Sequence, residues 1–185
     1  MIGNSILKQP AFALAITKWR NRKVKRPMLA AIVGVGSALA LVFGPGHHYV
    51  SLSWDPHEVS CLPELHLAVL VHHVPDHIER GAYVFWRASG ALSYVKEDFA
   101  MKKVAGVPGD KLLIKDDTVY INGQAVVTGF QDAVLYDKAP RDFERSGVIP
   151  PDNYFVIGTA QMSNDSRYWG YLPKSAMSGI GHRVW

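Results

Sequence analysis

Residues 27–43, PMLAAIVGVGSALALVF, run seventeen positions without a charge, and Gly44-Pro45-Gly46 closes the run. Just upstream stand Lys18, Arg20, Arg22, Lys23, Lys25 and Arg26, with no matching cluster downstream. As a helix the stretch would rise about 26 Å, slightly less than the roughly 30 Å of a hydrocarbon core. A basic flank on one side only orients such a helix with its N-terminal side in the cytoplasm. The sequence therefore predicts a basic cytoplasmic segment at 1–26, an uncleaved transmembrane signal anchor at 27–46 and one outer domain at 47–185. Two alternatives fit less well. A buried core helix would press six bases against the edge of the core. A cleaved secretory signal, with Ala38-Leu39-Ala40 as its small-residue site, would carry an unusually long basic region, and the apolar run continues past that site. The preceding AFALAITKW at 11–19 has the composition of an amphipathic helix lying on the cytoplasmic membrane surface.

The formal net charge of +4 is unevenly placed. Residues 1–46 hold seven Lys or Arg and no acid, whereas 47–185 hold 13 bases against 16 acids. The basic character belongs to the N-terminal segment, so nucleic acid is not expected as a partner of the outer domain. Cys61 is the single cysteine, which excludes an intrachain disulfide and leaves the redox compartment open.

Past the apolar run the pattern changes to short strand-like segments. AYVFWRA at 82–88 has strand composition, and DKLLIKDDTVYINGQAVV at 110–127 reads as short strands turning at Asp116-Asp117 and again at Asn122-Gly123. YFVIG at 154–158 follows the punctuation of Pro150-Pro151-Asp152-Asn153. No long helical period appears beyond position 50, and residues 128–149 read as a loop or extended insertion. The expected fold is mostly β, an antiparallel domain on a single N-terminal transmembrane helix.

Chemistry first shows at AMKKVAGVPGDKLLIK, 100–115, where Lys102 and Lys103 are hemmed in by Ala100, Met101, Val104, Ala105 and Val107. A lysine among apolar groups loses the solvation that favours its charged form, and a neutral amine can serve as a general base for a hydroxyl nucleophile. Serines available in the outer domain are Ser51, Ser53, Ser60, Ser89, Ser93, Ser163, Ser166, Ser175 and Ser178. Ser60 in EVSCLPEL is favoured locally: it follows the anchor closely and Pro63 stiffens the backbone beside it.

Three blocks, in order, resemble the motifs of the type I signal peptidases, the serine–lysine membrane proteases of bacteria. SCLP at 60–63 is similar to the nucleophile box, KKVAGVPGD at 102–110 to the lysine box, and SNDSRYWGYLP at 163–173 to the last box, approached by IPPDNYFVIG at 149–158. The resemblance implies an antiparallel β catalytic domain of signal-peptidase type and a serine endopeptidase. Ser60 would be the nucleophile and Lys102 the general base, with Ser163 orienting the amine through its hydroxyl. Asp165 would pair with Arg167, with Lys103 as a further partner, to hold that loop. Small residues such as alanine would stand before the cut.

This chain departs from the family pattern at three places. Glu58 stands where the family offers a second oxyanion hydroxyl, Gly158-Thr159-Ala160 replaces the usual Gly-Asp-Asn, and Ala82 replaces an aspartate. With the compact length, these departures are most similar to the conjugative-transfer, TraF-like branch. The implied partners are exported precursors carrying signal or leader peptides, pilin among them, and the lipid bilayer. The implied location is the bacterial inner membrane, single-pass, with the catalytic domain periplasmic. A housekeeping signal peptidase or a non-catalytic tethered interaction module are the alternatives. No cofactor is expected. Seven histidines lie within 47–77, but without a helical HExxH spacing they read as solvated loop residues rather than zinc ligands. A thiol nucleophile at Cys61 lacks a histidine at a spacing that suggests a partner.

Overall fold

The structure is a computed structural model that describes residues 26–44, 48–55, 60–88 and 99–184. The amphipathic stretch at 11–19, Glu58, His47 and His57 lie outside the described residues. Two compact units are separated near position 40.

The N-terminal unit contributes helix α1, Arg26–Phe43. Its described side chains are exposed, Met28, Ile32, Val33, Val35 and Leu39 among them. Among the described residues no helix is long and apolar enough to cross a membrane; 18 residues rise about 27 Å.

The second unit is built from two antiparallel sheets. The larger contains β1 (Val50–Trp54), β2 (Leu67–Val71), β3 (Tyr83–Arg87), β4 (Phe99–Gly106), β9 (Asn153–Ile157), β10 (Leu172–Pro173) and β11 (Met177–Arg183). They lie side by side in the order β1-β2-β11-β3-β4-β9-β10. The smaller sheet, ordered β7-β6-β5-β8, comprises β5 (Lys111–Lys115), β6 (Thr118–Ile121), β7 (Gln124–Thr128) and β8 (Arg145–Val148). One helical turn, α2 (Ser166–Trp169), follows β9.

Turn chemistry sets the small sheet. Asp116 and Asp117 both take positive φ (48° and 57°), as do Asn122 and Gly123 (52° and 82°), the arrangement of two-residue hairpin turns whose twist matches the strands they join. The expectation for 128–149 needs correction. The segment holds two short 3-10 turns, Gln131–Tyr136 and Pro140–Phe143, and the strand β8. RSGV has little strand character of its own; β8 forms because the free edge of β5 offers it a partner, Lys111 through Ile114 facing Val148 through Arg145.

β9 has both faces covered. Phe155 and Ile157 enter a cluster with Ile114, Val119 and Phe130, while Tyr154 and Val156 enter another with Val84, Trp86 and Val104. β4 alternates instead, with Ala100, Lys102, Val104 and Gly106 turned inward. The period of two thus places a lysine at an inward position between an alanine and a valine.

Candidate active site

Lys102 is 3% exposed, and its Nζ lies 3.0 Å from Ser163 Oγ. Pairing with Val84 on β3 and the β4–β9 ladder fix the strand on both sides, so the Lys102 backbone is held and its side chain starts inward. Among the described residues no ion pair includes Lys102.

Ser163 opens a loop that is buried through Arg167. Asp165 caps α2, its carboxylate accepting the backbone N–H of Arg167 at 3.1 Å and that of Gly158 at 2.9 Å. The Arg167 side chain returns a two-pronged bond to the same carboxylate, Nε and Nη2 each at 2.9 Å, and both residues are 0% exposed. Its remaining donors reach Gly129 O at 2.7 Å and Ser163 O at 3.0 Å. Burial pushes the guanidinium down, but the bonds and charge of Asp165 outweigh it and hold it above its ordinary value. Asp165 takes no hydrogen bond from Lys103 among the described residues. That expectation is corrected: Lys103 sits one step along β4, where side chains leave the opposite face, and its charge bears on Glu64 instead.

Ser60 is half-buried in the irregular segment before β2, and its Oγ accepts the N–H of Leu62 at 3.2 Å. Among the described residues no hydrogen bond joins Ser60 Oγ to Lys102. The link between their segments is the next carbonyl. Cys61 O accepts from Thr159 N at 2.9 Å and Ala160 N at 3.2 Å. Gly158 shows how close the approach is. A Cβ there would stand 2.1 Å from Ser163 Oγ and 2.7 Å from Cys61 O, so only glycine lets the Ser60 segment and the Ser163 hydroxyl meet at that spot.

Several supporting residues escaped the sequence reading. Arg145 donates to Phe143 O, Arg167 O and Ser166 O, closing the end of α2. Tyr136 OH lies 2.7 Å from Asn164 Oδ1 and its ring stacks on Tyr168, tying the first 3-10 turn to the same loop. Asp132, 8% exposed, has a carboxyl that burial pushes up against the lowering charges of Arg167 and Lys102. Only the arginine of RSGV, a basic residue in an otherwise small segment, gave any hint. No described group of three His, Cys, Asp or Glu residues is arranged to hold a metal ion.

Lys102 on β4 and Ser163 are thus joined directly inside the sheet, and Ser60 lies on the segment whose Cys61 carbonyl is held by Thr159 and Ala160. Residues 25–185 match the family described as signal peptidase, peptidase S26, and the chain belongs to that family of serine endopeptidases. It is 33% identical over 104 residues to the probable signal peptidase I-2 of Synechocystis, a match covering 55% of this chain and 45% of that protein, less than half of the relative's length. Signal peptidase IB of Staphylococcus aureus is 26% identical over 181 residues, covering 88% of this chain and 92% of that one. Among solved structures, a signal peptidase I from Enterococcus faecalis V583 aligns with a TM-score of 0.37 at 20% identity, over 57% of this chain and 97% of that chain.

Proposed function

We propose that this chain is a membrane-anchored endopeptidase that removes signal or leader peptides from exported precursors, pilin or other conjugative-transfer proteins among them. Ser60 is its nucleophile and Lys102 its base. The observation that carries this is the buried Lys102 amine on Ser163, with the carbonyl beside Ser60 held by the same loop. Lys102 takes the hydroxyl proton as Ser60 Oγ attacks the scissile carbonyl. The Ser60 backbone N–H donates to the oxygen that becomes negative. Collapse of the tetrahedral species expels the new amino end, which takes its proton from Lys102. Water then hydrolyses the ester on Ser60, again with Lys102 as base. Ser163 orients the amine, and the Asp165–Arg167 pair holds Ser163.

Anchoring at 27–46, with 1–26 cytoplasmic and 47–185 periplasmic, is supported by the uncharged run, the one-sided basic flank and the exposed apolar side chains of α1. The conjugative-transfer branch is supported by Ala82 and by Gly158-Thr159-Ala160. The test is cleavage of a pilin precursor and of an ordinary secretory precursor by membranes bearing wild type, Ser60→Ala or Lys102→Ala. The expected result is cutting of the pilin precursor by wild type alone. Equal cutting of both precursors would assign the chain to housekeeping export, and cutting by Ser60→Ala would remove Ser60 as nucleophile.

A further inference from the structure

Glu64 lies four residues beyond Ser60, and its carboxylate joins parts of the chain that are far apart in sequence. Thr159 Oγ1 donates to one oxygen at 2.5 Å and Tyr83 OH to the other at 3.1 Å. Partial burial pushes the carboxyl up, but the Thr159 bond, its own backbone N–H, the Tyr83 bond and the charge of Lys103 together hold it below its ordinary value. Glu64 therefore joins the Ser60 segment to β3 and to the loop leading to Ser163, and it feels the strand of Lys102 through that residue's neighbour.

The path from Glu64 to Ser60 is stiff. Leu65 N donates to Leu62 O at 2.9 Å, which closes a four-residue turn with Pro63 as its second residue. The first residue of that turn, Leu62, gives its N–H to Ser60 Oγ. Leu62 and Leu65, 4% and 5% exposed, pack beside Phe85 and keep the segment attached to the domain. They set no direction along the surface; hydrogen bonds do. Cys61 O and Glu64 both attach to Thr159, one through its backbone and one through its hydroxyl.

We propose that Glu64 is a positioning residue for the peptidase reaction, its carboxylate locking the Ser60 turn in register against the loop that carries Ser163. The inference rests on the reading of Ser60 as nucleophile. A shift of about 1 Å in a reacting group can cost on the order of 10²-fold in rate. Removing the lock should therefore slow chemistry without loosening substrate.

The test uses the full chain in detergent micelles and a quenched-fluorescence peptide with alanine before the cut. Glu64→Ala should lower kcat about 10- to 100-fold with KM within about 3-fold, and Glu64→Gln, which keeps an acceptor, should recover most of the loss. Thr159→Val should show part of the same defect, and Thr159→Val added to Glu64→Ala should cost nothing more, because the two share one bond. Turnover of Glu64→Ala within about twofold of wild type overturns the proposal, as does a double variant that loses the product of the two single effects. A rise in KM at unchanged kcat overturns it too, making Glu64 a substrate contact. Thermal midpoints are measured alongside; if Glu64→Ala unfolds, the exposed Thr159→Val and the isosteric Glu64→Gln carry the comparison. Ser60→Ala is the control. If it cuts normally, the nucleophile reading fails and takes this proposal with it, whereas an inactive Ser60→Ala beside a normal Glu64→Ala sinks the proposal alone.

Discussion

Arg167 Nη2 donates to the carbonyl of Ser163 at 3.0 Å while the hydroxyl of the same serine meets Lys102 Nζ at 3.0 Å. The serine is gripped at both ends, and the outer grip is a guanidinium that water does not reach. Exposed pairs of this kind contribute little. Here Asp165 and Arg167 are both fully buried, and removing one partner leaves the other charge stranded. Asp165→Ala is expected to cost about 3–5 kcal/mol in denaturant unfolding. Arg167→Lys should recover only part of an Arg167→Ala loss, because an ammonium cannot make the fork. A cost below about 1 kcal/mol for Asp165→Ala would mean that the pair is solvated.

Ser163→Ala takes away the acceptor that orients the Lys102 amine while leaving Arg167 its backbone carbonyl. We expect kcat to fall about 10²-fold, with a much smaller change in unfolding midpoint. Rate and stability falling together would assign Ser163 to the core rather than to the amine.

Gly158→Ala puts a methyl 2.1 Å from Ser163 Oγ and 2.7 Å from the Cys61 carbonyl, so one or both must retreat. Activity should be lost, and overpacking should cost about 1–3 kcal/mol. Gly147→Ala is the matched control, since a Cβ there meets nothing within 4 Å. Equal effects at the two positions would contradict the crowding.

Asp110 supplies a pH dependence. Arg80, donating through Nε at 2.7 Å and through Nη2, is the main cause that lowers its carboxyl from 3.8 to about 2, against burial and with help from Val107 N and Asn122. A depressed folded-state value means that the stabilisation is fully present above about pH 4 and is lost as pH falls toward 2. Acid unfolding curves should therefore show Asp110→Asn less stable than wild type at pH 6 and close to it near pH 2. A gap that stays constant across that window would show that titration of Asp110 plays no part.

The parts of the fold that were legible are those written locally. Asp-Asp and Asn-Gly announce their own turns, whereas the apolar residues around Lys102 and Lys103 mark a lysine pair without saying which one faces inward. β8 was not legible because RSGV borrows its structure from β5. β11, MSGIGHR, carries two glycines that weaken any strand signal. One of them is needed because a Cβ at Gly179 would stand 2.0 Å from Val71 O, a fact of packing alone. At the site, the motif blocks named Lys102, Ser163, Asp165 and Arg167, and the structure puts Lys102 on Ser163 and Asp165 on Arg167. The bond between Glu64 and Thr159, 95 residues apart, leaves no trace in spacing.

The position of β11 in the larger sheet makes it the joint between two halves. It is the last of the described strands, yet it lies between β2 and β3, giving Val71 through Ala68 on one side and Trp86 through Tyr83 on the other their partners. Without residues 177–183, the half of the sheet that borders the Ser60 segment and the half that carries Lys102 share no strand edge. A cut within residues 177–183 would thus open the larger sheet from its middle outward.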